Sequence, residues 1–192
     1  MDSDEVNAFV LANGKVYVFT GMLKAINNDN ELAGVLGHEI AHAIMNHSAE
    51  MMSLSGFFNV FSLAVLTLIW TVVPSDMLAF GFSLAQNAVE DLLLNLPYSR
   101  KLENEADEVG LLLAARACYD VRYVPRFWHR MHLQDIAGGE ATHPVFNWFS
   151  THPTNASRVQ QIDLLLPEAL ELRTYFECPE LKEFYEASHM FR

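Results

Sequence analysis

The chain has 192 residues, of which 51% are hydrophobic and 19% are charged, and its formal net charge is −12. This length suits one domain with a substantial core. Without a basic cluster, the sequence argues against nucleic-acid binding and against electrostatic binding to anionic lipid, so any membrane contact must be apolar.

The amino terminus predicts a short β-hairpin. Two strand patterns, residues 6–11 and 16–19, flank the turn signal Asn13-Gly14. Residues 1–5 are acidic and resemble neither a signal peptide nor a transit peptide. We therefore expect either a cytosolic protein or a catalytic fragment of a longer one, and a strand pattern so near the first residue favours the fragment.

A helix is predicted next, with Asn28 as its cap and Glu31 three residues later. This helix carries His38-Glu39-Ile40-Ala41-His42. One helical turn separates the two histidines, so both can bind the same zinc ion. Zinc activates water, and Glu39 can accept the proton as that water attacks a peptide carbonyl. The alternative is a coincidental match with solvated side chains.

Residues 51–96 are predicted to form an apolar helical hairpin inserted into the domain. Residues 51–75 contain no charge, and 56–73 are nearly all apolar, which is the shortest length that can span a bilayer. Pro74 breaks this run, and the second limb, 77–89, reaches only about 20 Å. The hairpin could dip into or lie on the bilayer, cover the cleft as a lid, or pack as a core helix.

Catalytic zinc needs a third protein ligand. Ser48 stands where the metzincin class has its third histidine, which excludes that class. His47 is predicted to point away from the metal as a surface or capping histidine. A glutamate from the helix predicted at residues 99–117 is the remaining common solution, and charge alone does not separate Glu103 from Glu105. Asp107 shares a helix face with Glu103 and could orient a histidine ligand, although an acidic helix start could also be merely solvated.

Two further helices are predicted, at residues 124–136 and 156–176, followed by a polar tail at 177–192. Cys118 and Cys178 are either free thiols or one disulfide, which the chain-entropy relation values at about 4 kcal/mol. The sequence leaves that choice open.

Five short motifs, in this order, resemble those of the HtpX and CAAX-prenyl-protease type of zinc metallopeptidase, a gluzincin family. They are Asn7-Ala8-Phe9, Gly21-Met22-Leu23, His38-Glu39-x-x-His42, Ser99-Arg100-x-x-Glu103-x-x-Ala106-Asp107 and Ser150-x-His152-Pro153. The resemblance covers roughly residues 6–166. It implies an endopeptidase with one zinc ion per chain.

The resemblance also implies roles for individual residues. His38, His42 and Glu103 would bind zinc, Glu39 would be the general base, and Asp107 and Arg158 would support the ligands. His152 would act at the metal, either donating a hydrogen bond to the developing oxyanion or occupying the fourth zinc position. Unchanged zinc affinity and peptidase rate in a His152→Ala variant would exclude both roles.

Three longer stretches resemble the mitochondrial inner-membrane members of this family, whose activity overlaps that of the m-AAA protease: residues 36–43, 97–103 and 110–115. This implies cleavage of membrane-anchored proteins in inner-membrane quality control, including stress-induced processing of the fusion dynamin. It also implies location at the mitochondrial inner membrane, and we expect the targeting and anchoring regions of such members to lie outside this chain.

The expected fold is α+β and mostly helical, with a small antiparallel sheet packed on a helical zincin body. Residues 1–176 would form the catalytic domain. If His42 and Glu103 meet at one zinc ion, the chain between them must return to the same side of any membrane, with contact through residues 56–89. A homo-oligomer is possible. The rival functions are a holdase or scaffold that keeps zinc for folding, and a membrane-signalling module with a silent peptidase.

Overall fold

The computed structural model describes residues 1–72, 81, 96–138, 152 and 156–182. Within these ranges the elements are β1 (Ala8–Val10), β2 (Val16–Val18), α1 (Thr20–Ala25), α2 (Asp29–Ile44), α3 (His47–Val72), α4 (Leu96–Arg116), α5 (Tyr123–Gly138) and α6 (Ala156–Tyr175). The predicted α+β, mostly helical fold is confirmed. Pro74, nearly all of the second limb of the predicted hairpin and most of the polar tail lie outside the described residues.

The predicted hairpin at the amino terminus forms, with strands shorter than the pattern suggested. β1 and β2 are antiparallel, with Phe9 opposite Tyr17, and the rings of this pair stack with centroids 5.2 Å apart. Gly14 has a φ of +79°, which suits glycine in the turn. β1 also packs against α2, so the sheet borders the helix that carries the two motif histidines.

α2 begins as predicted, and its first turn is tied to α5. The Asn28 side chain accepts hydrogen bonds from the backbone amides of Asn30 and Glu31 at 3.0 and 3.1 Å. The carboxylate of Glu31 accepts from the amide of Asn27 and pairs with Arg130 of α5 at 2.7 Å. Glu31 is buried, so this ion pair fixes the direction in which α2 starts.

α2 and α4 cross with their backbones in contact. A Cβ atom added to Gly37 would lie 2.5 Å from the carbonyl oxygen of Gly110, and one added to Gly110 would lie 2.7 Å from the backbone nitrogen of His38. Glycine lowers helix stability by about 1 kcal/mol relative to alanine. Here it permits an approach that sets His38 against the α4 helix, which carries Glu103 and Asp107.

The core lies where α2, α4, α5 and α6 meet. Its largest fully buried apolar side chains are Met22, Val35, Leu111, Val121, Phe127, Met131 and Ile162. A disulfide between Cys118 and Cys178 then joins the end of α4 to the segment after α6 across 60 residues of sequence. The structure thus decides the cysteine pairing that the sequence left open, and a loop of this length is worth about 4 kcal/mol.

α3 projects its apolar side chains into solvent. It has 26 residues and is therefore about 39 Å long, against a hydrocarbon core of about 30 Å. Phe57, Val60 and Leu68 are each at least 70% exposed. Packing as a buried core helix is therefore wrong for this segment. Among the described helices, α3 is the one that is long and apolar enough to cross a membrane.

Candidate metal centre

Three side chains from two helices converge at one point. The helical spacing of His38 and His42 brings their Nε2 atoms to 3.1 Å from each other. Glu103 of α4 places one carboxylate oxygen 3.4 Å from Nε2 of His38 and the other 3.3 Å from Nε2 of His42. Of the two glutamates that the charge pattern left open, the structure therefore brings Glu103 to the histidines.

The separations of these atoms fit a zinc ion. Zinc bound tetrahedrally at 2.0–2.1 Å has ligand atoms about 3.3–3.4 Å apart, and the atoms of His38, His42 and Glu103 are 3.1–3.4 Å apart. Glu39 lies beside them with 1% of its surface exposed, and its Oε1 atom accepts no hydrogen bond from the described residues. A buried carboxylate oxygen with unused capacity is what a water at a catalytic metal requires.

His38 is oriented by a buried ion pair. Its Nδ1 lies 3.0 Å from Oδ1 of Asp107. Arg158 of α6 donates to both oxygens of Asp107 at 2.7 and 2.8 Å and contacts Oε2 of Glu103 at 2.9 Å. One guanidinium group therefore holds both the carboxylate of Glu103, which faces the two histidines, and the carboxylate that orients His38.

The electrostatics follow from burial and from the close partners. Burial would lower the pKa of His38, but hydrogen bonds to Asp107 and Glu103 outweigh it and raise the pKa to about 10. Burial would raise the pKa of Glu103, but hydrogen bonds from His152, His38 and His42 hold it well below its usual range. A protonated His38 must release its proton to bind a metal ion.

For Glu39, burial outweighs the influence of the neighbouring groups on the pKa. Burial raises its pKa to about 7, against the lowering influence of His38, His42 and a hydrogen bond from the backbone amide of Val10 in β1. A carboxyl group near this value can both accept and return a proton close to neutral pH.

His152 is a fourth side chain at the same point. Its Nδ1 lies 3.2 Å from each oxygen of Glu103 and 3.3 Å from Nε2 of His38. Its Nε2 lies 3.5 Å from Oε1 of Glu39. The ligand atoms of His38, His42, Glu103 and His152 all lie within 4.8 Å of one another. Every residue that the sequence assigned to the site is thus within this cluster or in contact with it.

The expectation that His47 is a surface or capping histidine that points away is wrong. His47 is 3% exposed, and its Nδ1 lies 2.9 Å from Nδ1 of His42. The expectation assumed one continuous helix, but α2 ends at Ile44, and Asn46 adopts a left-handed φ of 57° before α3 begins. The available signal was Asn46 itself, because asparagine tolerates this conformation better than most residues.

A cleft opens beside the cluster. Its walls come from β1, from the motif helix, from the first turns of α3 and from α4: Phe9, Val10, Glu39, His42, His47, Ser48, Met51, Ser99, Leu102, Glu103 and His152. The backbone of Asn7 accepts a hydrogen bond from the amide of Phe19, and the amide of Leu11 donates to the carbonyl of Lys15, on the two sides of β2. The backbone groups of Ala8 and Val10 therefore lie on the other edge of β1. That edge faces the motif helix, where Val10 donates to Glu39.

The sequence is similar to those of several known proteins. It matches the model of "Peptidase family M48" over residues 1–165. It is 50% identical to "Metalloendopeptidase OMA1, mitochondrial" of Danio rerio and 43% identical to the human protein of that name, over 94% of this chain in both cases. These alignments cover 37% and 34% of the two relatives, so the chain spans about a third of their length.

A more distant bacterial relative shares the same region. "Metalloprotease YcaL" of Escherichia coli is 32% identical over 83% of this chain and 58% of its own length. The resemblance inferred from the five ordered motifs is confirmed by these matches. The convergence of His38, His42 and Glu103 beside Glu39 is what a metallopeptidase family requires, and the chain belongs to peptidase family M48.

Proposed function

We propose that the protein is a zinc-dependent endopeptidase that hydrolyses internal peptide bonds of protein substrates. One observation carries this proposal. The side-chain atoms of His38, His42 and Glu103 are as far apart as the ligands of one zinc ion, and the buried carboxylate of Glu39 lies beside them. A site that served only folding would have no use for Glu39, which weighs against the holdase or scaffold alternative.

Each residue of the site has a separate role in the proposed hydrolysis. A bound zinc ion would supply Lewis acidity toward a water molecule and a peptide carbonyl. Glu39 accepts the proton of the attacking water through its unbonded Oε1 and then delivers it to the leaving amine. Asp107 keeps Nε2 of His38 directed at the metal by holding Nδ1, and Arg158 keeps Asp107 in place.

His152 is proposed to close this site in the arrangement described here. Its Nδ1 is as near to Glu103 and His38 as those two ligands are to each other, which supports a fourth-ligand role. A substrate carbonyl would then have to displace it. Once displaced, the His152 ring, whose Nε2 now lies 3.5 Å from Glu39, would be free to donate a hydrogen bond to the developing oxyanion.

We infer that the substrate binds in extended form along β1. Phe9 and Val10 line the cleft, and Val10 lies on the edge of β1 away from β2, where an extended peptide can add as a further strand. Main-chain hydrogen bonds of this kind grip a peptide with little dependence on its sequence. This suits a protease that acts on varied proteins.

We also propose that the protein works in mitochondria, at the inner membrane, on membrane-anchored substrates that include the fusion dynamin. The names of its relatives support the mitochondrial part. The exposed apolar surface of α3 supports the membrane part. Because His42 and Glu103 meet, the chain after α3 must return to the side of the membrane on which α3 began.

The Glu39→Gln variant tests the proposed chemistry. It keeps the shape of the side chain but removes the proton acceptor, so cleavage of a membrane-tethered peptide should fall by about 10²–10⁴-fold. Zinc content should stay equal to that of the wild type, because Glu39 is not among the three ligands. Glu108→Gln, an exposed carboxylate on α4, is the matched control. Equal cleavage by wild type and Glu39→Gln at equal zinc content would refute hydrolysis by this site.

Membrane association should depend on the exposed face of α3. Leu68→Glu places a charge on a side chain that is 71% exposed and should strongly reduce co-flotation of the protein with lipid vesicles. Leu164→Glu on α6 changes an equally exposed leucine (79%) outside this helix and should leave flotation unchanged. If the wild type does not float with vesicles at all, α3 is not a membrane-binding element.

A further inference from the structure

We propose that His47 is a positioning residue for the metal ligand His42, which it orients through a hydrogen bond between the two imidazole rings. Nδ1 of His47 lies 2.9 Å from Nδ1 of His42. The ring centroids are 4.9 Å apart, with an angle of 81° between the planes. The proposal rests on the proposed function only in that His42 binds a metal ion.

The placement of protons supports a single arrangement. Nε2 of His42 faces His38 and Glu103, so it must present a lone pair to a metal ion, and the ring proton must sit on Nδ1. That proton points at Nδ1 of His47, which must then be the acceptor. His47 therefore carries its own proton on Nε2.

Glu105 completes this arrangement. Nε2 of His47 lies 3.7 Å from Oε2 of Glu105, which is too long for a direct hydrogen bond but close enough for the carboxylate to favour a proton on that nitrogen. Glu105 is thus outside the metal cluster, two residues from Glu103, and its contact with His47 links it to His42.

The backbone brings His47 to this position. The left-handed Asn46 ends α2 and turns the chain, so a side chain five residues after His42 folds back onto its ring. His47 is also the first residue of α3, so the exposed apolar helix begins at a contact with a metal ligand. The burial of His47 protects the hydrogen bond from competition by water.

The two histidine ligands are consequently supported in different ways. His38 donates to a carboxylate that Arg158 anchors, whereas His42 donates to a neutral imidazole. A neutral acceptor fixes the ring and its tautomer without adding negative charge. Loss of such a supporting partner typically weakens metal binding by about 10–100-fold.

Two substitutions at His47 distinguish an effect of its hydrogen bond on zinc binding from an effect of its packing. His47→Leu removes the acceptor, and His47→Asn keeps an acceptor oxygen near the place of Nδ1. We expect His47→Leu to weaken zinc binding by about 10–100-fold and His47→Asn to restore most of the loss. Zinc dissociation constants of the full chain would be measured by competition with a chromophoric chelator. His129→Leu, which changes an exposed histidine of α5, should bind zinc like the wild type.

Either of two results would overturn the proposal. One is a His47→Leu protein that is folded by circular dichroism and binds zinc within about threefold of the wild type. The other is a His47→Asn protein that binds zinc as weakly as His47→Leu, because packing alone would then explain the loss. If His47→Leu does not fold, nitrogen NMR of the zinc-loaded wild type decides, since a proton on Nδ1 of His47 is incompatible with its accepting role.

This test is independent of the peptidase assay. Zinc affinity does not depend on Glu39, and Glu39→Gln leaves His42 and His47 in place. A failed cleavage assay with a confirmed His47 effect would therefore refute the proposed hydrolysis and leave the metal-positioning role intact.

Discussion

Replacing Glu103 by alanine should remove both tightly bound zinc and peptidase activity. Glu103 supplies the α4 side of the site, with one oxygen facing each histidine. Asp107 cannot replace it, because Asp107 contacts Nδ1 of His38 on the opposite edge of the ring. The loss of zinc affinity should therefore exceed the roughly 10–100-fold that follows from removing a supporting residue.

The measurement is the zinc content after dialysis against a chelator, together with the cleavage rate. Glu108→Ala, which truncates an exposed carboxylate on the same helix, should retain zinc and activity and is the matched control. A Glu103→Ala protein that keeps one zinc ion per chain under these conditions would show that Glu103 is not a ligand.

Replacing Arg158 by alanine should lower both stability and zinc affinity. Arg158 is 2% exposed and pairs with Asp107 and Glu103 at 2.7–2.9 Å. Its removal takes away the guanidinium group that pairs with both buried carboxylates, and breaking a buried ion pair of this kind costs about 3–5 kcal/mol in comparable cases. Asp107 would also lose the partner that holds it against His38, so zinc affinity should fall by about 10–100-fold.

Arg130→Ala provides the comparison. It also breaks an ion pair with a buried carboxylate, that of Glu31 at 2.7 Å, but Arg130 is partly exposed and the pair lies at the far end of α2 from the metal site. Urea unfolding of the zinc-free proteins should show a loss of stability in both variants, whereas only Arg158→Ala should alter the zinc dissociation constant. An unchanged zinc affinity in Arg158→Ala would contradict the assigned role of Arg158.

Local patterns were enough to predict much of this fold. The hairpin around Asn13-Gly14 forms, α2 starts at the predicted cap, and α4, α5 and α6 lie within a few residues of their predicted bounds. The residue preferences of turns, helix capping and helical periodicity each depend on residues close in sequence. They can therefore be predicted without a structure. The one-turn spacing of His38 and His42 is a local property of the same kind.

The choice between Glu103 and Glu105 was not local. Both lie on one acidic turn, and charge alone does not distinguish them. The crossing of α2 and α4 at Gly37 and Gly110 sets the rotation of α4 and turns Glu103 toward the histidines. Resemblance to the family pointed to the same residue, but the physical reason is the contact between the two helices.

By itself, then, the sequence determined most of the described secondary structure and the placement of His38 and His42 one turn apart on a helix, because both follow from spacing within one segment. The tertiary structure alone decided the pairing of Cys118 with Cys178, the exposure of α3 and the burial of His47. The first two depend on how distant segments pack against each other. The third depends on how the start of α3 packs back against α2, after the left-handed Asn46 has ended the helix that the prediction had taken to be continuous.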